Sequence, residues 1–410
     1  MVATRWAIGA ILVVLVSAFG WADEADTRKQ PDETLKRASQ ALDKHDYKRA
    51  IALLDEALKL NAKNASAYAL RGIAHSRRGE RDDALADYKK ALKLDAKNVL
   101  AYASRGALYM ASGDNDKALA DFNRAIDIDP KYTIAYLSRG SVYHSQNEYD
   151  KALADFTRVI ELDPKSVAAY TNRGQTYLYL LPKPQFDKAL PQFDKALADF
   201  DKALEIEPKF IAARIGRGVV FQEKGDLDKA FKEFDKALEI DPRSAEAYQA
   251  RGDAWMEKEE HERAIADYSH VLKLNPKDVW AWVSRAEAHT EKGDYEKGIA
   301  DFKEALKLHA NNPDALAGLA WIWSICPKAE LRDGKKAVAF AEKACKLNDF
   351  KNATFLDTLA AAYAENGQFD EAVKMQKQAL KSPDDFPKKE LEKAKKRLKL
   401  YMQGKPYRKE

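Results

Sequence analysis

The 410-residue sequence is poor in the features that mark several classes of protein. Its two cysteines are too few for a disulfide scaffold or for a zinc site with four thiolates. With 14 prolines, 18 glycines and 46% hydrophobic residues, it is neither a disordered, a collagen-like nor a multi-span membrane chain. Basic and acidic residues number 69 and 65, so the whole chain is not a nucleic-acid-binding polycation.

The sequence also lacks the residue spacings of catalytic sites. Its seven histidines form no HExxH or other metal-ligand spacing, and it has neither a nucleophile elbow nor a phosphate-binding loop. Outside the N-terminal segment and the repeats described below, only residues 23–30 and 387–410 remain, which are too few for a catalytic domain. We therefore expect a protein that is not an enzyme, with no cofactor and no metal.

The N-terminal segment has the three parts of a secretory signal peptide. Arg5 precedes an apolar run from Trp6 to Val16, and Gly20 and Ala22 stand at the −3 and −1 positions of a cleavage site. The run is short for a membrane span, which needs about 20 residues. We expect a signal peptide at residues 1–22, followed by a linker at 23–30, and export to the periplasm or the extracellular space. An uncleaved membrane anchor is the alternative.

A pattern with a period of 34 residues explains most of the remaining chain. A glycine preceded by arginine recurs, a small residue follows it after twelve positions, and an aromatic residue such as Phe156 follows four positions later. The glycines are Gly72, Gly106, Gly140, Gly174, Gly218 and Gly252, and the small residues include Ala84, Ala118, Ala152, Ala230 and Ala264. Apolar residues at helical spacing, a central turn and a closing proline predict two amphipathic helices per unit. We expect Gly140 to face Ala152 where the two helices cross, and the aromatic residues to fill the space between neighbouring pairs.

This pattern resembles the tetratricopeptide repeat (TPR) family. The end of the chain also resembles the closing repeats of some exported bacterial TPR proteins, through Leu319-Ala-Trp321, Cys326-Pro327 and residues 357–363. The resemblance implies an all-α fold, an α-solenoid coiled into a right-handed superhelix with a concave groove, and about ten helix-turn-helix units. The units are placed at 31–64, 65–98, 99–132, 133–166, 167–210, 211–244, 245–278, 279–312, 313–352 and 353–386. Residues 387–410 are expected to form a capping helix and a basic tail.

The fifth unit is ten residues longer than the period. A short heptad is copied in tandem at residues 185–190, 192–197 and 199–204, after Pro182 and Pro184. We expect the insertion to lengthen the second helix of this unit at its N-terminus and to project from the stack. A docking protrusion and a neutral duplication in a tolerant loop both remain open as its role.

Each arginine before a repeated glycine, and Arg285 before Ala286 at the same place in the next repeat, is followed by an acidic residue 16 positions later, or 26 where the insertion intervenes. The pairs are Arg71–Asp87, Arg105–Asp121, Arg139–Asp155, Arg173–Asp199, Arg217–Glu233, Arg251–Asp267 and Arg285–Asp301. Antiparallel helices bring such positions together, so we predict a ladder of partly buried ion pairs that sets the register between helices. A basic binding stripe is the alternative, although unpaired arginines at that depth would be costly.

The concave groove implied by the resemblance would be built from inner positions of the first helix of each unit. The candidate peptide-binding residues are Thr171, Gln175, Glu223, Gln249, Asp253, Glu257, Glu287 and Glu291. The acidic residues of units six to eight suggest a basic peptide as partner, and a merely solvated face is equally open. Of the Lys and Asn set with which chaperone-binding TPR proteins clamp a carboxylate, only Asn172 is matched, so we do not expect a chaperone adaptor.

Three other features are interpreted as structural. Trp280, Trp282, Trp321 and Trp323 could form a cluster that stacks on sugars or peptides, but their helical spacing is more typical of core packing. Cys326 and Cys345 are expected to be small buried residues that lie apart. The segment 388–410 carries a net charge of +7, and we expect a capping helix at Leu391–Met402 with a frayed, solvated end. Contact of this tail with an anionic surface is the alternative.

These observations predict an exported scaffold that binds a protein or peptide partner along its concave face. Nucleic acid is not expected as a partner, and membrane contact is expected only through an uncleaved N-terminal segment. The alternative is an envelope-anchored structural or assembly factor, held by that segment and docking through the insertion or the tail.

Overall fold

All the regular structure in the described part of the chain is helical. A computed structural model describes residues 33–180, 186–382, 386 and 388–409, and these contain 21 α-helices and one short 3-10 helix. The all-α prediction is therefore confirmed. The predicted signal peptide, the linker and Pro182 and Pro184 of the insertion lie outside the described residues. None of the described helices is both long and apolar enough to cross a membrane.

The chain divides into two compact units. The first comprises Met1–Leu181 and Pro191–Gly216, and the second comprises Pro182–Leu190 and Arg217–Glu410. The boundary between Gly216 and Arg217 falls within the eleventh helix. The helices up to and including that one are α1 (Glu33–Asp43), α2 (Tyr47–Leu60), α3 (Ala65–Arg77), α4 (Arg81–Leu94), α5 (Val99–Ala111), α6 (Asn115–Ile128), α7 (Thr133–Ser145), α8 (Tyr149–Leu162), α9 (Val167–Tyr179), α10 (Phe186–Ile206) and α11 (Ile211–Glu223).

The second unit continues with the remaining helices of the chain. They are α12 (Leu227–Ile240), α13 (Ala245–Glu257), α14 (His261–Leu274), α15 (Val279–Lys292), α16 (Tyr295–Leu308), α17 (Pro313–Ile325), the 3-10 helix Ala329–Leu331, α18 (Gly334–Lys346), α19 (Ala353–Glu365), α20 (Phe369–Ala379) and α21 (Lys388–Met402). Successive helices pack against each other in pairs. We call the odd-numbered helices up to α19 the A helices and the even-numbered ones the B helices, since each predicted repeat interval holds one of each.

Local sequence explains where the A helices begin and end. Several start at an Asn, Ser or Asp cap; the Asn98 side chain, for example, accepts a hydrogen bond from the Ala101 backbone N–H at 2.8 Å. In the described part of the chain, eight turns between an A and a B helix contain one residue with positive φ. They are His45, Gly79, Gly113, Asn147, Gly225, Glu259, Gly293 and Gly367. Glycine adopts this conformation without strain, whereas Glu259 holds it at φ 61° despite its side chain.

The repeated glycines make room for the repeated aromatic rings. A Cβ atom at Gly140 would lie 2.8 Å from Cε1 of Phe156, and the nearest atoms around it all belong to that ring. The ring of Phe156 therefore lies over the glycine. In the next repeat a Cβ at Gly174 would also lie 3.3 Å from the carbonyl oxygen of Ala196, the counterpart of Ala152, which agrees with the expectation that the repeated glycine faces the repeated alanine. Ala152 is itself fully buried, as are Ala84, Ala118, Ala230 and Ala264. In the first unit the Phe200 ring reaches Gly174 of its own pair and Gly216 of the next A helix, as predicted for an aromatic between pairs.

The insertion lengthens a B helix, as predicted. Helix α10 has 21 residues, whereas the B helices α4, α6 and α8 each have 14. The seven additional residues are at its N-terminal end, and Pro191 lies within the helix. The expected projection of the insertion from the stack, and its role as a docking protrusion or a neutral duplication, stay predictions.

Candidate functional site

The arginines before the repeated glycines bind the predicted acidic residues. Arg139 donates a hydrogen bond from Nε to Oδ2 of Asp155 at 2.8 Å and another from Nη2 to Oδ1 at 2.6 Å. The same two hydrogen bonds join Arg71–Asp87, Arg105–Asp121, Arg173–Asp199, Arg251–Asp267 and Arg285–Asp301. Nη2 of Arg217 donates to Oε2 of Glu233 at 2.9 Å. All seven acidic residues are buried. The predicted ion pairs are confirmed within each unit.

A further contact, which the sequence reasoning missed, joins these arginines to the preceding B helix. Nη1 of Arg139 donates to Oδ1 of Asn123 at 2.6 Å, and Nη1 of Arg173 donates to Oγ1 of Thr157 at 3.1 Å. The same contact occurs in Arg71–Asp55, Arg251–Asp235 and Arg285–Ser269. Its acceptor always stands 16 residues before the arginine and is polar, which is the only signal the sequence offers. Each of these arginines therefore links three helices.

Tyrosine rings complete the surroundings of several arginines. Cζ of Arg139 lies 5.5 Å from the ring centre of Tyr136 and 5.8 Å from that of Tyr143. The hydrogen bonds to Asp155 raise the pKa of Arg139 above its ordinary value, although burial acts in the opposite direction. Because these guanidinium groups bind carboxylates and contact rings of the same unit, their role is to link helices of that unit rather than to bind a ligand.

One of the two groove candidates in the first unit is inaccessible. Thr171 is fully buried and donates a hydrogen bond to the Val167 carbonyl oxygen of its own helix at 2.9 Å. The structure thus contradicts its choice as a peptide contact, because a side chain at the inner position of α9 is covered by its neighbours. Gln175, one turn further along α9, is half-buried.

A neutral histidine lies in the same region of the first unit. Nδ1 of His144 is 2.9 Å from Oγ1 of Thr176, whose hydroxyl donates to the Asn172 carbonyl oxygen at 2.7 Å. Since that hydroxyl proton is already used, Nδ1 of His144 is the donor to Thr176. Burial lowers the pKa of His144 to about 4, so the ring is uncharged at neutral pH.

Three glutamates lie at the C-terminal ends of A helices in the second unit. Glu223 and Glu257 are the last residues of α11 and α13, and Glu291 is the last but one of α15. Glu257 and Glu291 are exposed, and Glu223 is half-buried. Nε2 of Gln222 donates to Oε2 of Glu257 at 3.0 Å, which shows that neighbouring helix ends meet. We call these three glutamates the acidic row; helix C-termini carry partial negative charge, so the row favours cations.

The other acidic candidates are engaged inside the second unit. Asp253 is 8% exposed and accepts hydrogen bonds from the Tyr268 hydroxyl at 2.6 Å and from Nε2 of Gln249 at 3.1 Å. Gln249 also donates to Oγ of Ser284 at 3.3 Å. The structure therefore contradicts Asp253 as a groove contact and places it in a network between α13, α14 and α15. Glu287 is half-buried.

The C-terminal helix carries a buried charge. Arg397 is 1% exposed and donates to both carboxylate oxygens of Asp357, at 3.0 and 2.7 Å. Gln376, which stands where the B helices from α4 to α16 have an aromatic residue, donates to Asp357 Oδ1 at 2.6 Å. Tyr401 is also buried. The departure from the repeat pattern at Gln376 thus accommodates the helix that closes the second unit.

The tail after this helix is held in place, so the expectation of a frayed, solvated end was wrong. Arg408 pairs with Glu365 at the end of α19. Lys409 pairs with Glu291 of the acidic row at 2.9 Å, and its backbone N–H donates to the Ile325 carbonyl oxygen at 3.0 Å. Arg408 and Lys409 of the tail are therefore bound by the second unit itself.

The tryptophans divide between core and surface. Trp282, Trp321 and Trp323 pack against the apolar core of the second unit, as predicted. Trp280 is 38% exposed, which contradicts the prediction of core packing for that residue. The two cysteines, Cys326 and Cys345, are buried free thiols, as expected. Burial raises the pKa of Cys345 to about 12, which keeps it in the unreactive thiol form.

One group of possible metal ligands was not foreseen from the sequence. Ligand atoms of His75, Glu80 and Asp83 lie within 4.8 Å of one another, with Nδ1 of His75 at 2.6 Å from Oε2 of Glu80. His75 and Glu80 are half-buried and Asp83 is exposed. The His75–Glu80 contact closes the turn between α3 and α4, which accounts for the arrangement without an ion.

Sequence comparisons support the repeat pattern. A family model described as TPR repeat matches residues 76–113, 106–147, 140–180 and 220–258. Two models described as tetratricopeptide repeat match residues 249–315 and 353–382. Together the matches cover more than half of the chain. No curated protein sequence matches it significantly.

Solved structures of repeat proteins are similar to the chain. A tetratricopeptide repeat protein from Parabacteroides merdae is 22% identical, with 65% of this chain and 98% of that chain covered and a TM-score of 0.48. A thermophilic TPR protein of Thermus thermophilus is 22% identical, covering 47% and 99%, with a TM-score of 0.44. YrrB, a TPR protein with an unusual peptide-binding site, is 25% identical, covering 48% and 97%, with a TM-score of 0.37.

Proposed function

Because the chain belongs to the tetratricopeptide repeat family, we propose that it is a non-catalytic scaffold that binds a protein or peptide partner through the ends of its A helices. The fold is of the kind that serves protein–protein interaction. Preformed helices lose little conformational entropy on binding, so a partner segment would meet a surface that is already ordered. The proposal places the protein outside the cytoplasm, in the periplasm or the extracellular space, on the basis of the segment from Met1 to Ala22.

The acidic row carries this proposal. Glu223, Glu257 and Glu291 repeat at 34-residue intervals on neighbouring helix ends. Glu257 and Glu291 are exposed, and Glu223 is half-buried. Carboxylates at helix C-termini add their charge to that of the last carbonyl groups, which favours positively charged side chains. A basic, extended peptide is therefore the partner that this surface fits best, because its charges can follow the repeat.

Affinity capture with matched variants tests the proposal. The native chain would be used as bait in an envelope extract beside Glu223→Lys/Glu257→Lys, which reverses two charges of the row. Glu205→Lys/Glu239→Lys is the control, since these residues are exposed on B helices and also stand 34 residues apart. We expect one set of partners to be retained by the native chain and the control and lost by the row variant. Equal capture by all three chains would contradict the assignment of the row.

Sequencing the N-terminus of the exported protein tests its location. A chain that begins at Asp23 in the periplasm or the medium is expected. Retention of Trp6–Val16 in a membrane fraction would instead support the envelope-anchored assembly factor.

A further inference from the structure

Residues 405–409, the last that the structure describes, cross three consecutive A helices of the second unit. Residues 405–409 have no regular secondary structure, and they contact the C-terminal ends of α15, α17 and α19. The contacted positions are equivalent ones: Glu291 is the last but one residue of α15, Ile325 ends α17 and Glu365 ends α19. The segment therefore follows the same line of helix ends to which Glu291 of the acidic row belongs.

The last two cations of the segment, Arg408 and Lys409, are each bound by a helix-end carbonyl group and by a carboxylate. Nζ of Lys409 donates to the Thr290 carbonyl oxygen at 3.1 Å and to Oε2 of Glu291 at 2.9 Å. Nη1 of Arg408 donates to the Ser324 carbonyl oxygen at 3.2 Å, and Nη2 pairs with Glu365. The negative ends of the helix dipoles point at these groups, so each helix end provides a cation site.

The segment is also held through its main chain and through an aromatic ring. The backbone N–H of Lys409 donates to the Ile325 carbonyl oxygen at 3.0 Å. The Tyr407 ring lies 6.3 Å from that of Trp321, centre to centre, and Cζ of Arg397 is 5.5 Å from the Tyr407 ring centre. A main-chain hydrogen bond, an aromatic contact and two paired cations are the elements by which proteins bind extended peptides.

We propose that the ends of α15, α17 and α19 form a binding site for an extended peptide with an aromatic residue followed by two basic residues, and that the C-terminal tail occupies this site in cis. A partner segment of this chemistry must displace the tail before it can bind. The proposal rests on the proposed peptide-binding function and adds its ligand class and its regulation. A tethered tail acts at an effective concentration of about a millimolar, so it competes strongly with a partner of similar intrinsic affinity.

Binding of a labelled peptide to the full-length chain tests this. The probe is a fluorescein-labelled peptide with the sequence of residues 403–410, measured by fluorescence anisotropy. The test variant is Arg408→Ala/Lys409→Ala, which removes the two cations that hold the tail. The control is Lys396→Ala/Lys399→Ala, which removes two exposed cations of the adjacent helix α21 and leaves the tail in place.

The expected result is tight binding to the test variant and binding about 10-fold or more weaker to the native chain and the control, because their tails compete. Adding Glu365→Gln to the test variant should remove most of the binding, and a peptide with alanine at the Arg408 and Lys409 positions should not bind. Equal affinity for the native chain and the test variant would overturn the occupation in cis. Absence of binding to every variant would overturn the site itself.

A measurement on the native chain tests the proposal without relying on the folding of any variant. Excess unlabelled peptide should accelerate hydrogen exchange of the Lys409 amide, because displacement breaks its bond to Ile325; unchanged exchange at saturating peptide would contradict the proposal. The outcome is separate from that of the capture experiment, whose variants change Glu223 and Glu257 and leave the tail contacts intact. Partner capture without peptide binding would sustain the scaffold and reject the tail as its competitor.

Discussion

Replacing Arg139 alone should destabilise the first unit much more than replacing both members of the Arg139–Asp155 pair. Asp155 is 5% exposed, and its two oxygens accept hydrogen bonds from Arg139 at 2.8 and 2.6 Å. In Arg139→Leu the carboxylate keeps its burial and loses its counter-charge. Removing one partner of a buried pair usually costs 3–5 kcal/mol; since Arg139 is partly exposed, we expect about 3 kcal/mol.

The other two variants follow from the same contacts. Asp155→Leu leaves a guanidinium that can still donate to Asn123 and reach solvent, so we expect a loss of about 1.5 kcal/mol. In the double variant two leucines lie beside the Tyr136 and Tyr143 rings, and replacement of a buried pair by apolar residues is often neutral, so the loss should be near 1 kcal/mol. The coupling energy is then about 3.5 kcal/mol.

Urea unfolding of the native chain and the three variants measures the cycle. Repeat proteins lose stability through neighbouring units, so the curves require a nearest-neighbour analysis, supported by amide exchange in α7 and α8. Arg158 and Glu161, on α8 itself, provide a control cycle. Their pair is 2.9 Å long and exposed, so its coupling energy should be far smaller than that of the buried pair. If the losses at Arg139 and Asp155 simply add, the ion pair does not set the register and the reasoning is wrong.

Two further predictions concern a strained turn and a buried histidine. Glu259→Gly should raise the free energy of unfolding by about 0.5–1 kcal/mol because glycine adopts φ 61° without strain, whereas Gly293→Ala should lower it by about 1–2 kcal/mol. Thermal unfolding checks both variants, and a change of the same sign in the two would refute the argument. The pKa of His144 is about 4 in the folded chain, below the ordinary 6.5. Its contribution to the free energy of unfolding is therefore complete above pH 6.5 and is lost as the pH falls from 6.5 towards 4, by about 3 kcal/mol in all. His144→Gln should remove this part of the pH dependence in urea unfolding, and an unchanged pH profile would contradict it.

Much of the fold is predictable from the sequence because each repeat is a local structure. The spacing of Gly140, Phe156 and their equivalents implies paired amphipathic helices, and the 16-residue spacing of arginine and acid implies ion pairs between them. These inferences hold because helix pairing depends on residues close along the chain. The same reasoning predicted the longer α10, since extra heptads extend a helix without disturbing its partners.

The candidate site was predicted only in part. Glu257 and Glu291 are exposed, but Thr171 and Asp253 are buried, because a helical position alone does not show how closely the next pair covers it. The contact of Arg139 with Asn123 was also missed, since its acceptor varies in chemistry from one repeat to the next.

The helical pairs, their approximate bounds, the arginine–acid pairing and the charge of the tail can all be read from the amino-acid order. The residues that the tail contacts cannot be read from it. Lys409 is 118 residues from Glu291, and Arg408 is 84 residues from Ser324. No periodicity relates such distant residues; only the packing of α21 through Arg397 onto Asp357 directs the tail across the helix ends. Contacts within a repeat follow from local spacing, whereas this one exists because the tertiary structure brings the end of the chain back to the second unit.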